Sequence, residues 1–299
     1  LRVARALRRP PTGRCGVTRD PFRIEGPAVV SFSGGRTSAL MLRRILDAHD
    51  GRLPDDVHAV FANTGRERPE TLDFVRDVAD RWRVPVRWVE RDAPSGHGKK
   101  REVPVADLGW REVDYDTASR NGEPFAELIA SKQFLPNAVM RFCTEGLKLD
   151  TMRGFMLAQG YEHWTNAVGL RADEPFRVAK VRGRTGGQWD SVCPLADAGV
   201  ALEHVSAYWR ASPFDLRLRP WEGNCDACML KGVAVLERIE RDRPGTLAWW
   251  ARQERVARGT FAKERNYLRV IQRARQPALP GAFDEPPDVT GALPCACTD

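Results

Sequence analysis

Over the first ninety residues, apolar and polar positions sort into short strands and amphipathic helices. Ala28–Phe32 (AVVSF), Val57–Asn63 (VHAVFAN) and Val84–Glu90 (VPVRWVE) are nearly continuous apolar runs. Between them, Thr37–Ala48 sets Leu40, Leu42, Ile45 and Leu46 at helical spacing, and Pro69–Trp82 reads as a second helix. Apolar strands alternating with helices predict a doubly wound α/β fold, a mostly parallel sheet covered on both faces. After Glu90 the pattern loosens into a basic stretch, 93–104 (APSGHGKKREVP), expected to be a mobile loop. Helices are expected at Glu123–Ser131, Glu145–Gln159 and Leu202–Arg210, with a strand at Trp164–Gly169 and a weaker one at Ser191–Leu195. From Trp221 onward the pattern is helical, Met229–Arg241 and Thr246–Arg258, before a proline-rich tail expected to be irregular.

This divides the 299 residues into a basic extension (1–26), a nucleotide-binding domain (27–215) and a helical, cysteine-bearing appendage with its tail (216–299). The extension is arginine-rich, has no acid before Asp20 and holds a Pro-Pro pair. It resembles an organelle transit peptide in composition, lacks the apolar core of a secretory signal, and is expected to be disordered. No apolar stretch approaches the ~18 residues that a membrane helix needs. The expectation is a cytoplasmic protein with no membrane partner. A net charge of +7 favours anionic partners, nucleotide or nucleic acid, although a well-solvated surface gives the same count.

Chemistry enters at Ser33-Gly-Gly-Arg-Thr-Ser38, between the first strand and the first helix. In open α/β sheets that turn is where ligands bind, and the helix start offers free N–H groups and partial positive charge to phosphate. Gly34 and Gly35 let backbone approach an anion, Ser33, Thr37 and Ser38 add hydroxyls, and Arg36 adds a cation. Neither the P-loop nor the dinucleotide fingerprint occurs. The segment instead resembles the pyrophosphate loop, S-G-G-x-[DT]-S, of N-type ATP pyrophosphatases, the superfamily of phosphoadenosine phosphosulfate (PAPS) reductases and thiolation enzymes. Residues 61–74 (FANTGRERPETLDF) are similar to the D-T-G…P-E-T…F segment of PAPS reductases, with Asn63 in place of the aspartate. Residues 169–175 (GLRADEP) resemble G-x-R-x-x-[EQ].

The resemblance implies nucleotide contacts from Ser31, Ser33, Gly34, Gly35, Arg36, Thr37, Ser38, Asn63, Thr64, Gly65, Glu70, Lys148, Gly169 and Arg171. Ser33, Arg36, Ser38 and Arg171 would be the catalytic members, with ATP and Mg²⁺ as the implied substrate and ion.

Seven cysteines do not suit a secreted disulfide framework in a chain of this length. The E-C-G-x-H motif of PAPS reductases and the Cys-Cys pair of adenylylsulfate reductases do not occur in the chain. Cys225-x-x-Cys228, Cys143 before a helix, and Cys295-x-Cys297 remain as candidate metal ligands. A [4Fe–4S] cluster, as in the thiolation branch, a zinc ion, and plain thiols all fit that spacing. Cys193 reads as a core residue, and Trp249-Trp250 as packing for the appendage.

The expected activity is ATP pyrophosphatase-type adenylation of an acceptor for sulfur transfer, with a sulfur-donor protein and a nucleic acid or small-molecule acceptor as partners. The alternatives are a PAPS reductase using Cys295 and Cys297, and a metal-knuckle nucleic-acid-binding protein on a degenerate core.

Overall fold

The computed structural model describes residues 20–92, 108–184, 187–263 and 265–277. Six strands form one sheet in the order β4-β3-β2-β1-β5-β6. They are β1 (Ala28–Ser31), β2 (Val57–Asn63), β3 (Val86–Arg91), β4 (Trp110–Val113), β5 (Trp164–Val168) and β6 (Trp189–Val192). All pairings are parallel except β3 with β4, where Trp88 lies opposite Val113. The chain first builds outward from β1 through β2 and β3, then crosses to β5 on the other side. The direction of winding therefore reverses between β1 and β5.

The expected alternation holds through the first half. Helices α1 (Arg36–Ala48) and α2 (Pro69–Trp82) follow β1 and β2, then α3 (Glu123–Lys132). A short α4 (Phe142–Thr144) runs through a π-helical turn, Glu145–Leu149, into α5 (Asp150–Ala158). After β5 come α6 (Pro175–Arg182), a short α7 (Pro194–Asp197) beyond β6, and α8 (Leu202–Ala211). The chain ends its described course in α9 (Val233–Asp242), α10 (Ala248–Ala257) and α11 (Tyr267–Arg275).

Period-two alternation in the strands assigns the faces. Ala28, Val30 and Phe32 turn toward α1, α2 and α8, joining Leu42, Ile45, Phe74, Val78 and Trp209 in the main core. Val29, Val60, Ala62 and Val89 turn the other way, against Met152, Phe155 and Met156 of α5. Phe32, Phe61 and Phe74 are no more than 1% exposed, and each such burial is worth about 1.5–3 kcal/mol over exposure.

A second core lies outside the sheet. Trp250 is its centre, stacked on Tyr267 at 5.6 Å and edge-on to Phe125 and Phe261. Its indole N–H donates to Asp226 Oδ1 at 2.9 Å. Phe125, Leu128 and Leu147 contribute to this core together with α9, α10 and α11, so it is built from both sides of residue 215. The Trp249-Trp250 pair is buried there, as the sequence suggested.

Several details differ from the sequence expectation. Ile24, inside the stretch excluded as an extension, is 6% exposed and belongs to the main core, with Phe22 packed against it. The strand expected at Ser191–Leu195 ends at Val192, because Pro194 has no N–H for a ladder and its fixed φ suits the first turn of α7. The helix expected from Met229 begins at Val233, after a turn capped by Gly232. β4, α6 and α11 add elements that the pattern did not reveal. The basic stretch 93–104, most of the N-terminal extension and the tail beyond 277 lie outside the described residues.

Candidate functional site

The Ser33–Ser38 turn leaves the carboxyl end of β1 and enters α1. Gly34 takes φ +74, a conformation that costs an L-residue about 1–2 kcal/mol, and a Cβ there would lie 2.7 Å from Thr71 Cγ2. Gly35, extended at φ −101, is the N-cap and supplies no side-chain cap. The first turn of α1 thus keeps its free N–H groups for an external acceptor. Ser38 Oγ reaches back to the turn. It accepts from Ser33 N–H at 3.2 Å, lies 2.9 Å from Ser33 Oγ and donates to Gly35 O at 3.1 Å. The turn is held closed by its own hydroxyls.

Two outside groups fix it further. Asn224 Nδ2 donates to Ser33 O at 2.7 Å. Arg36 makes a two-pronged pair with Asp215 at 2.7 and 2.6 Å and also donates to Leu216 O at 2.7 Å. Arg36, expected to grip phosphate, is thereby engaged in tying the turn to the chain after α8.

Gly169, just past β5, lets the chain pack closely on the first turn of α1: a Cβ there would sit 3.0 Å from Ser38 Cα. The adjoining cavity, about 390 Å³, opens at the β1/β5 reversal and is lined by Ser31, Asn166, Val168, Leu170, Met152 and Trp189. Ser31 Oγ donates to Asn166 Oδ1 at 2.7 Å on its floor. Arg141, Arg177, Lys180 and Arg184 surround it. Apolar walls, a few polar groups and cationic sides suit an adenine nucleotide, and a strand-order reversal is where open sheets bind one. Arg171 lies beyond Leu170, paired with Asp173 Oδ1 at 2.9 Å and Glu174 Oε2 at 3.3 Å. Those carboxylates hold its guanidinium, and hydrogen bonding with Arg171, against the opposing effect of burial, leaves the Asp173 carboxyl below its usual range.

At the end of β2 the family segment is woven into its surroundings. Asn63 Nδ2 donates to Glu90 Oε1 at 2.5 Å and Ser119 O at 2.9 Å, and Asn63 Oδ1 accepts from Gly65 N–H at 3.2 Å. Glu90 is fully buried. An aspartate at 63 would set two carboxylates side by side, so the amide fits where the family pattern has an acid. Thr64 N–H and Oγ1 both donate to Glu67, whose carboxyl is buried and pushed upward by desolvation, with Lys148 opposing. Glu70 is engaged by Arg243 at 2.6 Å.

The Cys225-x-x-Cys228 segment docks on this same edge. Arg68 N–H donates to Asn224 O at 2.7 Å, Asp226 N–H to Arg66 O at 3.0 Å, and Arg66 pairs with Asp226. Cys143, Cys225 and Cys228 line one small cavity with Thr64, Glu67, Lys148 and Trp250. Lys148, expected to contact phosphate, lies on this thiol cavity. Among the described residues, no three His, Cys, Asp or Glu side chains gather closely enough to hold a metal ion. The space itself, about 20 Å³, has room for about one water. Cys295 and Cys297, the other two expected ligands, lie outside the described residues. Cys193 is fully buried, and burial raises its thiol pKa, in keeping with a core role.

Sequence reasoning named the turn, Ser31, Gly169 and the three thiols, and the fold sets them around the ends of β1, β2 and β5. It missed Asn224, Asp215 and Glu67, and the basic side chains around the cavity. Asn224 immediately precedes a quoted motif, so a polar residue there was visible but had no assigned partner.

The matched family model, the phosphoadenosine phosphosulfate reductase domain, covers residues 27–212. The nin region protein ORF290 of Escherichia phage lambda is 33% identical over 218 residues, 73% of this chain and 70% of that protein. A 37.8 kDa protein from the gpa 5′ region of Escherichia phage 186 is 28% identical over half of this chain and 49% of its own length. A Methanocaldococcus jannaschii protein is 27% identical over 52% of this chain, a quarter of that protein. With the turn, the strand-order reversal and the family segments in one place, the chain belongs to the phosphoadenosine phosphosulfate reductase domain family, within the adenine nucleotide alpha hydrolase-like superfamily.

Proposed function

We propose that this protein cleaves ATP between its α- and β-phosphates to adenylate an acceptor, preparing it for sulfur transfer. The observation that carries the reading is the Ser33–Ser38 turn, self-closed by Ser38 and opening helix N–H groups beside the cavity at the strand-order reversal. In this reaction an acceptor oxygen attacks the α-phosphorus, the α–β P–O bond breaks, and pyrophosphate leaves with the electron pair. The N–H groups at the start of α1 and the hydroxyls of Ser33 and Ser38 donate to the departing pyrophosphate, where negative charge accumulates. Mg²⁺ arrives with ATP, held mainly by phosphate oxygens and water. Adenosine occupies the apolar cavity between β1, β5 and α5, and Arg171 exchanges its carboxylate partners for phosphate oxygen. A sulfur nucleophile, supplied by a donor protein, then displaces AMP from the acceptor.

The test is exchange of labelled pyrophosphate into ATP in the presence of candidate acceptors. Exchange is expected from the parent chain and is lost in Ser33→Ala combined with Gly35→Ala; exchange that survives both changes refutes the reading. A second reading, reduction of a sulfonucleotide, draws on the family and on the three thiols beside the Thr64 edge. It predicts release of sulfite from PAPS with a dithiol donor and without ATP.

A further inference from the structure

The two C-terminal helices carry a second concavity, remote in role from the nucleotide turn. A groove of about 610 Å³ runs between α10 and α11, lined by Arg252, Arg255, Arg258 and Arg275 over a floor that includes Leu268 and Ile271. None of the four guanidinium groups has an ion pair among the described residues. Their one acidic neighbour in the lining, Glu254, is 4% exposed and turned inward. Its oxygens accept the backbone N–H groups of Phe261 at 3.2 Å and Tyr267 at 2.8 Å. Elsewhere the chain neutralises its arginines liberally: Arg36, Arg66, Arg68, Arg111, Arg171 and Arg243 all face carboxylates. Four arginines that no carboxylate faces among the described residues thus converge on one groove.

The floor narrows the class of anion. Leu268 is 55% exposed, which inorganic phosphate or a small polyanion would leave in water. A strand of unpaired nucleotides satisfies both parts, its phosphates meeting guanidinium groups and an unstacked base or sugar covering the leucine. A duplex keeps its bases stacked inside and offers the floor nothing. We infer that the α10–α11 groove binds the backbone of a single-stranded polynucleotide. This deepens the proposed function by naming the acceptor class, and it rests on that reading only for what happens to the strand afterwards. The inner side of α10 supplies Trp250 to the thiol cavity, so the strand would lie on an element adjoining the proposed chemistry.

The experiment is fluorescence anisotropy with a labelled single-stranded oligonucleotide at 50–200 mM salt. Four phosphate contacts imply a log–log salt slope near −3 and about a 50-fold loss of affinity over that range. Arg252→Gln, Arg255→Gln, Arg258→Gln and Arg275→Gln combined should remove about 3 from the slope while calorimetric ATP binding persists. Leu268→Ser should weaken binding and leave the slope unchanged, which keeps the test intact if the quadruple variant folds poorly. Gly35→Ala should lose ATP and retain the oligonucleotide, separating failure of the nucleotide reading from failure of this one. The inference is overturned if the parent chain does not bind the strand at 50 mM salt, if the arginine variant matches it, if a duplex of the same sequence binds as tightly, or if Gly35→Ala abolishes binding.

Discussion

Replacing Gly34 by alanine tests whether the turn is shaped by backbone conformation and packing together. Two costs apply. At φ +74 an added Cβ meets the following carbonyl, about 1–2 kcal/mol. It would also lie 2.7 Å from Thr71 Cγ2 and 3.0 Å from Val75 Cγ2, on side chains that are fully buried. Overpacking of that kind costs about 1–3 kcal/mol. The sum is about 2–5 kcal/mol out of a typical total of about 5–15 kcal/mol, easily read from urea unfolding followed by circular dichroism. Gly35→Ala is the control. Its Cβ meets Asn224 Nδ2 at 3.3 Å with φ −101, so its stability should fall by less than about 1 kcal/mol. Adding Thr71→Ser to Gly34→Ala removes the closer of the two methyl contacts and should return part of the packing cost, leaving the Val75 contact and about 1–2 kcal/mol of backbone strain. A Gly34→Ala protein as stable as the Gly35→Ala protein would refute the reasoning, as would full rescue by Thr71→Ser.

Other outcomes follow from the same contacts. Asn224→Ala deletes the donor to the Ser33 carbonyl and should cost about 1–3 kcal/mol in urea unfolding while weakening ATP binding in calorimetry. Glu67→Gln should alter the pH dependence of stability. Burial raises the Glu67 pKa from 4.5, so the folded state holds that proton longer than the unfolded one. Stability contributed by the site therefore falls as pH rises from about 4.5 through the raised value, and the variant should lack that share of the slope in unfolding curves taken across the range. Arg36→Gln and Asp215→Asn should each cost about 1 kcal/mol or less, because both side chains are 38% exposed, and the double variant should cost no more than Arg36→Gln alone, which already loses the Leu216 bond.

Much of the fold was legible because its signals are local. β2 and α2 fall where the period predicted, Val57–Asn63 and Pro69–Trp82, each bounded by its own turn chemistry. β4 was not, since Trp110–Val113 is half exposed at the sheet edge and shows neither an apolar run nor clean alternation. In the site, Gly34 announced a tight turn after β1 through a backbone requirement that holds in any context. Arg36 and Lys148 could be named as cations but not placed, because a long side chain takes whichever partner the fold brings near: Asp215, 179 residues away, for one, and the cavity beside Glu67 for the other.

The sequence alone determined the doubly wound class, the glycine-rich turn between β1 and α1, and the Cys225-x-x-Cys228 spacing, since each depends on neighbours within a few positions. Only the tertiary structure decided that Asn224 closes the turn across 191 residues, that the C-terminal helices share a core with α3, and that three thiols line a cavity beside Glu67. The reason is physical: hydrogen bonds, ion pairs and desolvation depend on distances in space, and those distances exist only once the chain has folded back on itself.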